Sequence, residues 1–216
     1  VNGYVSFPVC GPSRAGFITG RYQDRFGFTT NPTIDPTNDI AGLPLDEKTL
    51  AEVLCNEGYK SAIVGKWHLG THPNFHPLNR GFDYFYGFLS GGHNYFMNQL
   101  TVENLENVKS KWAWYRTKLR ENHKTLEFKD YKTDYLTDEL SEAALRFINK
   151  QAENDQPFFL FLSYNAPHTP MHATEKYLSR FPDIQDRKRK TYAAMVSAVD
   201  DGIGLVLETL KKNALI

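Results

Sequence analysis

The chain has 216 residues, enough for one large hydrophobic core without requiring a second domain. Its 41% apolar and 14% aromatic residues, beside 23% charged ones, exclude the disordered and fibrous classes. The 25 basic and 25 acidic residues cancel, so no global field draws the protein to nucleic acid or to an anionic membrane, and any bound anion must be met by locally concentrated positive charge. The run Arg187-Lys188-Arg189-Lys190 reads as a solvated helix start rather than such a patch. Two cysteines are too few for a disulfide scaffold, and Cys55, behind Val53-Leu54, reads as a buried small hydrophobe. No stretch approaches the roughly 18 apolar residues of a membrane-spanning helix, and no signal peptide opens the chain, which is expected to be an internal segment.

In chain order, Tyr4-Val5-Ser6-Phe7 reads as a short strand or extended segment ending at Pro8. A short helix is predicted from Gly11-Pro12-Ser13-Arg14, because proline suits the first helical position, and Gly20 is its stop. Cys10 then lies just before a helix N-terminus. Asn31-Pro32, Asp35-Pro36 and Asn38 mark turns. Leu50, Val53 and Leu54 repeat at helical spacing after Asp46-Glu47-Lys48-Thr49, up to Gly58. Ala62-Ile63-Val64 reads as a buried strand, which places Gly65-Lys66-Trp67-His68-Leu69-Gly70 at its C-terminal end. A loop-rich segment over about 71–132 holds His72, His76, Arg80 and His93, with a small hairpin carrying Trp112 and Trp114 on one face. Its glycine-bracketed middle, from Arg80 to Gly87, either approaches a ligand or packs as a compact loop.

Leu136, Leu140, Ala144, Phe147 and Ile148 define a helix, broken by Asn154-Asp155-Gln156-Pro157. The uninterrupted apolar run Phe158-Phe159-Leu160-Phe161-Leu162 predicts a central parallel strand covered on both faces, with Asn165-Ala166-Pro167-His168 at its end. A last helix over about 190–212 is expected to present Met195, Val199, Ile203, Val206 and Leu210 on one face. This alternation argues for an α/β fold, a mostly parallel central sheet sandwiched by helices. Function in such sheets gathers at the carboxyl ends of the strands, where Lys66, His68 and His168 fall.

A cysteine at a helix start meets free backbone donors and the positive end of the helix dipole, and Arg14, one turn later, has the forked geometry that suits oxyanions. Read alone, the pair is more readily a buried thiol with a surface arginine. Cys10-Gly11-Pro12-Ser13-Arg14, continued by Ala15 and Thr19-Gly20-Arg21, resembles the signature of formylglycine-dependent sulfatases, of the alkaline-phosphatase-like superfamily. Gly65-Lys66-Trp67-His68-Leu69-Gly70 and Asn165-Ala166-Pro167-His168 resemble two further motifs of that family, in the expected order, and together the three span most of the chain. Details of the first motif and of Arg80-Gly87 are closest to bacterial glycan-active, arylsulfatase-like members.

The resemblance implies that 1–216 is the central part of an N-terminal catalytic domain, periplasmic or secreted in the full-length protein. It implies that Cys10, within the modification motif Cys10, Pro12, Ser13 and Arg14, is oxidised to formylglycine (3-oxoalanine) by a formylglycine-generating or anaerobic sulfatase-maturing enzyme. The hydrated aldehyde would attack the sulfur of a sulfated carbohydrate, release the alcohol and form a covalent sulfo-enzyme intermediate. Loss of the second hydroxyl proton would expel sulfate. By the same resemblance Arg14 holds the diol, Lys66 contacts sulfate oxygens, His168 donates toward the ester oxygen and His68 assists proton removal. Arg80 and His93 are candidate sugar-sulfate contacts. A calcium ion is implied, with residue 10 as its single ligand in this chain; the family's other ligands and its downstream lysine would come from missing flanking polypeptide. Asp200-Asp201 reads as part of a structural helix. The rival readings are a phosphate or phosphonate monoester hydrolase of the same superfamily and a noncatalytic sulfated-glycan-binding segment.

Overall fold

Alternation along two central strands sorts the core into two layers. In the computed structural model, which describes residues 2–216, Ile63 and Phe85 face one side of the sheet and Val64 and Tyr86 the other, as successive side chains of a strand must. The elements are α1 (Cys10–Thr19), α2 (Leu50–Asn56), β1 (Lys60–Lys66), β2 (Tyr84–Phe88), β3 (Arg120–Glu121), β4 (Lys124–Thr125), α3 (Leu136–Gln151), β5 (Phe158–Ser163), α4 (Glu175–Leu178) and α5 (Arg187–Lys212).

The sheet order is β4-β3-β2-β1-β5. β1 pairs in parallel with β2 and β5, and the β3-β4 hairpin is antiparallel, so the sheet is mixed and open. Ala15 and Ile18 of α1 and Ala51 of α2 pack with Ile63 and Phe85 on one face. Leu136, Leu140 and Ala143 of α3, with Ala194, Met195 and Ala198 of α5, pack with Val64 and Tyr86 on the other. The sheet is therefore flanked by helices on both sides, as the apolar patterns predict.

Local signals explain several boundaries. Gly20 ends α1 at φ 65, a left-handed position that favours glycine. The Thr49 side chain accepts from the Glu52 amide while Glu52 accepts from the Thr49 amide, a capping box that starts α2. The Asp186 side chain caps α5 by accepting from the Arg189 amide.

Tertiary structure departs from the sequence reading at several places. Residues 4–7 form no strand. The segment 80–87 is not a loop throughout: β2 is a buried central strand within it, disguised by its aromatic composition and flanking glycines. The hairpin within 71–132 is β3-β4, turning at Asn122 with φ 53, whereas Trp112 and Trp114 lie outside it. β5 lies at a sheet edge among the described residues, and its apolar side chains are half-buried. Cys55 is exposed rather than buried, because the α2 surface carrying it faces away from β1.

The buried face of α5 is also displaced. Thr191, Ala194, Met195, Ala198 and Gly202 face inward, and Ile203 is exposed. Small residues win this face because α3 and β5 come close: a methyl group at Gly202 would collide with the Tyr164 hydroxyl and Ser141 Oγ.

Candidate active site

Three strand and helix ends meet at one volume. Cys10 is the first residue of α1, Lys66 the last of β1 and Ser163 the last of β5, while His68 and His168 follow the two strands. Gly65, at φ 118, lies against the Ser163 carbonyl, where any side chain would collide.

Arg14 joins these ends. Its Nη1 donates to the Lys66 carbonyl at 2.9 Å and to the Ser163 hydroxyl, and Ser163 Oγ donates to the same carbonyl at 2.8 Å. The Lys66 side chain is 2% exposed and sits within hydrogen-bonding reach of the Cys10 thiol. The Gly11 amide at the start of α1 donates to Asn31 Oδ1 at 2.8 Å, which also accepts from Cys10 Sγ at 3.4 Å. Asn31 was visible in the sequence only as a turn residue before Pro32; the Asn-Pro pair gave no sign of its reach across 21 residues to Cys10.

The electrostatics are those of a site prepared for an anion. Burial lowers the Arg14 guanidinium to about 10, with only the Cys10 thiol acting in the opposite direction. Burial first, and then Arg14, lower the Lys66 ammonium to about 8. Burial drives His68 down to about 2, helped by Lys66, Arg14 and His168, so its imidazole is neutral. His168 is lowered too, chiefly by burial and less by Lys66 and Arg14. A tetrahedral oxyanion relieves the like-charge crowding and supplies the partner that buried cations otherwise lack.

The two imidazoles are fixed by their surroundings. His68 adopts φ 61, and its amide donates to the Leu89 carbonyl at 3.1 Å, while its Nδ1 is buried without a hydrogen-bond partner among the described residues. Nδ1 of His168 lies 2.7 Å from the Thr169 carbonyl, which assigns the proton to that nitrogen in the neutral ring. Gly91 and Gly92 support both rings: a methyl at Gly91 would press on His68 Nε2 at 2.5 Å, and one at Gly92 would lie 2.8 Å from the Tyr115 ring and 3.0 Å from His168 Cε1. The Gly-Gly dipeptide was the available signal for this close approach, and the sequence reading passed over it.

The Sulfatase family profile matches residues 1–215. The chain belongs to the sulfatase family. It is 35% identical to the uncharacterized sulfatase YdeN of Escherichia coli (strain K12), with 98% of this chain aligned to 37% of that protein. It is 36% identical to the N-acetylgalactosamine-6-sulfatase of Homo sapiens, with 97% of this chain aligned to 39% of that protein. The crystal structure of Ps i-CgsB in complex with k-i-k-neocarrahexaose superimposes with a TM-score of 0.88 at 42% identity, covering 98% of this chain and 46% of that one. The chain thus spans less than half the length of these relatives.

Cys10, Arg14, Lys66, His68 and His168 come together in this sulfatase, whereas Arg80 and His93 do not join them. Arg80 is 1% exposed, and its guanidinium donates to the carbonyls of Leu43, Pro44 and Glu47 and pairs with Glu52. Its donors are directed at the loop before α2 and at Glu52 within α2, which corrects its expected place in a sugar pocket. His93 is wholly buried, with its ring nitrogens 3.0 Å from the Asn94 carbonyl and 2.7 Å from the Thr117 carbonyl. Its own carbonyl accepts from Asn165 Nδ2 at 3.1 Å, so His93 ties the 93–117 segment to the loop bearing His168. That contact is internal rather than a sugar contact.

Hard cations such as calcium need several oxygen ligands. Among the described residues, no group of three or more His, Cys, Asp and Glu side chains is arranged to hold a metal. The groups beside Cys10 are the Arg14 and Lys66 cations and the Asn31 amide, so these residues alone do not compose a calcium site. Asp201 of α5 is engaged elsewhere, accepting at 2.7 and 2.8 Å from Arg180, which follows α4.

Proposed function

We propose that this chain is the central part of the catalytic domain of a longer enzyme that hydrolyses a sulfate ester on a carbohydrate, with residues 71–132 as a loop-rich insertion. The reading is supported by one arrangement: Arg14 and Lys66 lie beside residue 10, and His68 and His168 lie beside those two cations. The Sulfatase match and the glycan-directed relatives support the same class of substrate.

The finer reading is that Cys10 is converted to formylglycine by a maturing enzyme and that the hydrated aldehyde supplies the nucleophilic oxygen, passing through a covalent sulfo-enzyme stage. An unmodified thiol has no second hydroxyl with which to release sulfate. Around that group, Arg14 holds the start of α1 against the strand ends and contributes positive charge. Lys66 meets sulfate oxygens where negative charge grows. His168 stands ready to donate toward the departing ester oxygen, and neutral His68 to accept a proton as sulfate departs. The calcium ion expected from the resemblance would draw its carboxylates from polypeptide outside this chain.

No helix among the described residues is long and apolar enough to cross a membrane. A periplasmic or secreted location belongs to this proposal.

The test uses the full-length protein co-expressed with a maturing enzyme. Peptide mapping by mass spectrometry should find formylglycine at residue 10, and inorganic sulfate should be released from k-i-k-neocarrahexaose or another sulfated oligosaccharide. Sulfate release by a protein whose residue 10 remains a thiol would overturn the formylglycine route. Faster turnover of a matched phosphate ester would favour the phosphate or phosphonate hydrolase, and binding by the modified protein without turnover a noncatalytic glycan-binding role.

A further inference from the structure

Beside His168 opens a second cavity, of about 440 Å³, lined by Asn94, Trp112, Tyr115, Arg116, Thr169 and Pro170, with Ser110 and Ala113 completing it. Tyr115 forms the wall shared with the catalytic volume. Its ring and that of His168 flank Gly92, its hydroxyl lies within hydrogen-bonding reach of the Thr169 side chain, and burial raises its pKa. A group bound in this cavity is therefore adjacent to an ester oxygen presented to His168.

The lining has the chemistry of a sugar site with a charged edge. Trp114 stacks on Tyr115 with ring centroids 4.0 Å apart, which holds the Tyr115 ring in place, and Trp112 stands 6.0 Å from it with 61% of its surface exposed. Such rigid amphipathic rings offer an apolar face beside polar groups, here Asn94, Ser110 and Thr169. At the rim are two cations. Lys111 lies over the Trp112 ring at 5.3 Å, and the exposed Arg116 guanidinium makes no ion pair or side-chain hydrogen bond among the described residues. The Arg116 backbone is anchored, since its carbonyl accepts from the Val102 amide at 2.9 Å and the neighbouring Thr117 bridges Val102. An unpaired arginine on an anchored backbone beside an exposed indole is placed to take a fixed anion bidentately.

We infer that this cavity receives the sugar bearing the scissile ester and that Arg116 binds a second anionic group on that sugar or its neighbour, so the substrate class is a glycan carrying more than one anionic group. The inference rests on the sulfate-ester reading for the identity of the first group, not for the existence of the cavity. Arg116 acts in specificity and stands outside the group of residues around Cys10.

Binding to the full-length protein with Cys10→Ala, which cannot turn over, tests the cavity separately from catalysis. The probes are a disulfated galactose disaccharide, its monosulfated forms and the unsulfated disaccharide, measured by calorimetry. With Arg116 present, the disulfated form should bind at least about tenfold tighter than the better monosulfated one. Arg116→Gln should abolish that advantage without changing affinity for the form sulfated only at the scissile position, and Trp112→Ala should weaken all the sulfated probes. An advantage that survives Arg116→Gln, equal binding of mono- and disulfated forms, or no binding of any probe overturns the inference. In the modified full-length protein, failure to hydrolyse any sulfate ester while the Arg116-dependent advantage persists would reject the hydrolase reading and leave the cavity assignment standing.

Discussion

Arg14 Nη1 donates to the main-chain carbonyl of Lys66 at 2.9 Å, so the guanidinium one turn into α1 is bound to the strand end whose own side chain reaches Cys10. The same nitrogen meets Ser163 Oγ, and Arg14 thereby couples the helix that begins at Cys10 to both β1 and β5.

Arg14→Lys removes the fork while retaining the charge. In the mature full-length enzyme, kcat/KM for a sulfate ester should fall about 100-fold or more, a loss of roughly 3 kcal/mol in transition-state stabilisation. Ser163→Ala removes one of the two bonds onto the Lys66 carbonyl and leaves the other, so a loss of about tenfold is expected, with the melting temperature little changed. Steady-state kinetics and thermal melts check both, and an Arg14→Lys enzyme of near-native kcat/KM contradicts the role assigned to the fork.

Gly92→Ala places a methyl against Tyr115 and His168 at once. Displacing a ring from its working position should lower kcat by about tenfold or more, at a folding cost of roughly 1–3 kcal/mol. Gly91→Ala should act similarly through His68. Retained kcat in both variants would show that the rings tolerate movement.

Arg80→Ala separates an internal anchor from a substrate contact. It leaves three main-chain carbonyls and Glu52 without their cation, and the expected loss of stability is about 3 kcal/mol or more, read from denaturant unfolding. Turnover per folded molecule should stay near native. A variant of native stability with a raised KM would return Arg80 to the substrate site.

Two buried imidazoles predict acid sensitivity. His76 is lowered to about 4, first by burial and then by the neighbouring His123 and Arg120, and His93 is lowered to about 4 by burial against the pull of its two carbonyl contacts. Both folded values lie below the unfolded value of about 6.5, so the unfolded chain takes up protons first as pH falls. Stability from these sites is complete above about pH 6.5 and is lost progressively down to about pH 4. His76→Asn keeps an acceptor for the Leu78 amide, which bonds the His76 ring at 3.3 Å, but cannot be protonated. It should reduce the drop in melting temperature between about pH 7 and about pH 4.5; an unaltered drop would assign the acid sensitivity to other groups.

Legibility differed from element to element. The helical repeat of α3 was readable because its burial is written in local periodicity, whereas the apolar run of β5 marked a strand but not its place at the sheet edge among the described residues. β2 was hidden by its aromatic composition and flanking glycines, and its place beside β1 is a long-range pairing that no window of sequence contains. The inward face of α5 was misjudged because hydrophobicity favours Ile203, whereas the available space favours Gly202.

The sequence by itself determined the chemical set: Cys10 at a helix start, Arg14 one turn on, and Lys66, His68 and His168 at strand ends, because motif spacing and element boundaries are local properties. Only the tertiary structure decided which of the remaining polar residues serve the interior. Arg80 and His93 have the chemistry of ligand contacts, yet their hydrogen-bonding groups are engaged by carbonyls that the fold brings to them, and the exposed Arg116 guanidinium has no such partner among the described residues. A side chain's freedom to bind depends on which backbone groups the fold brings to it, and that is settled by packing across the whole chain.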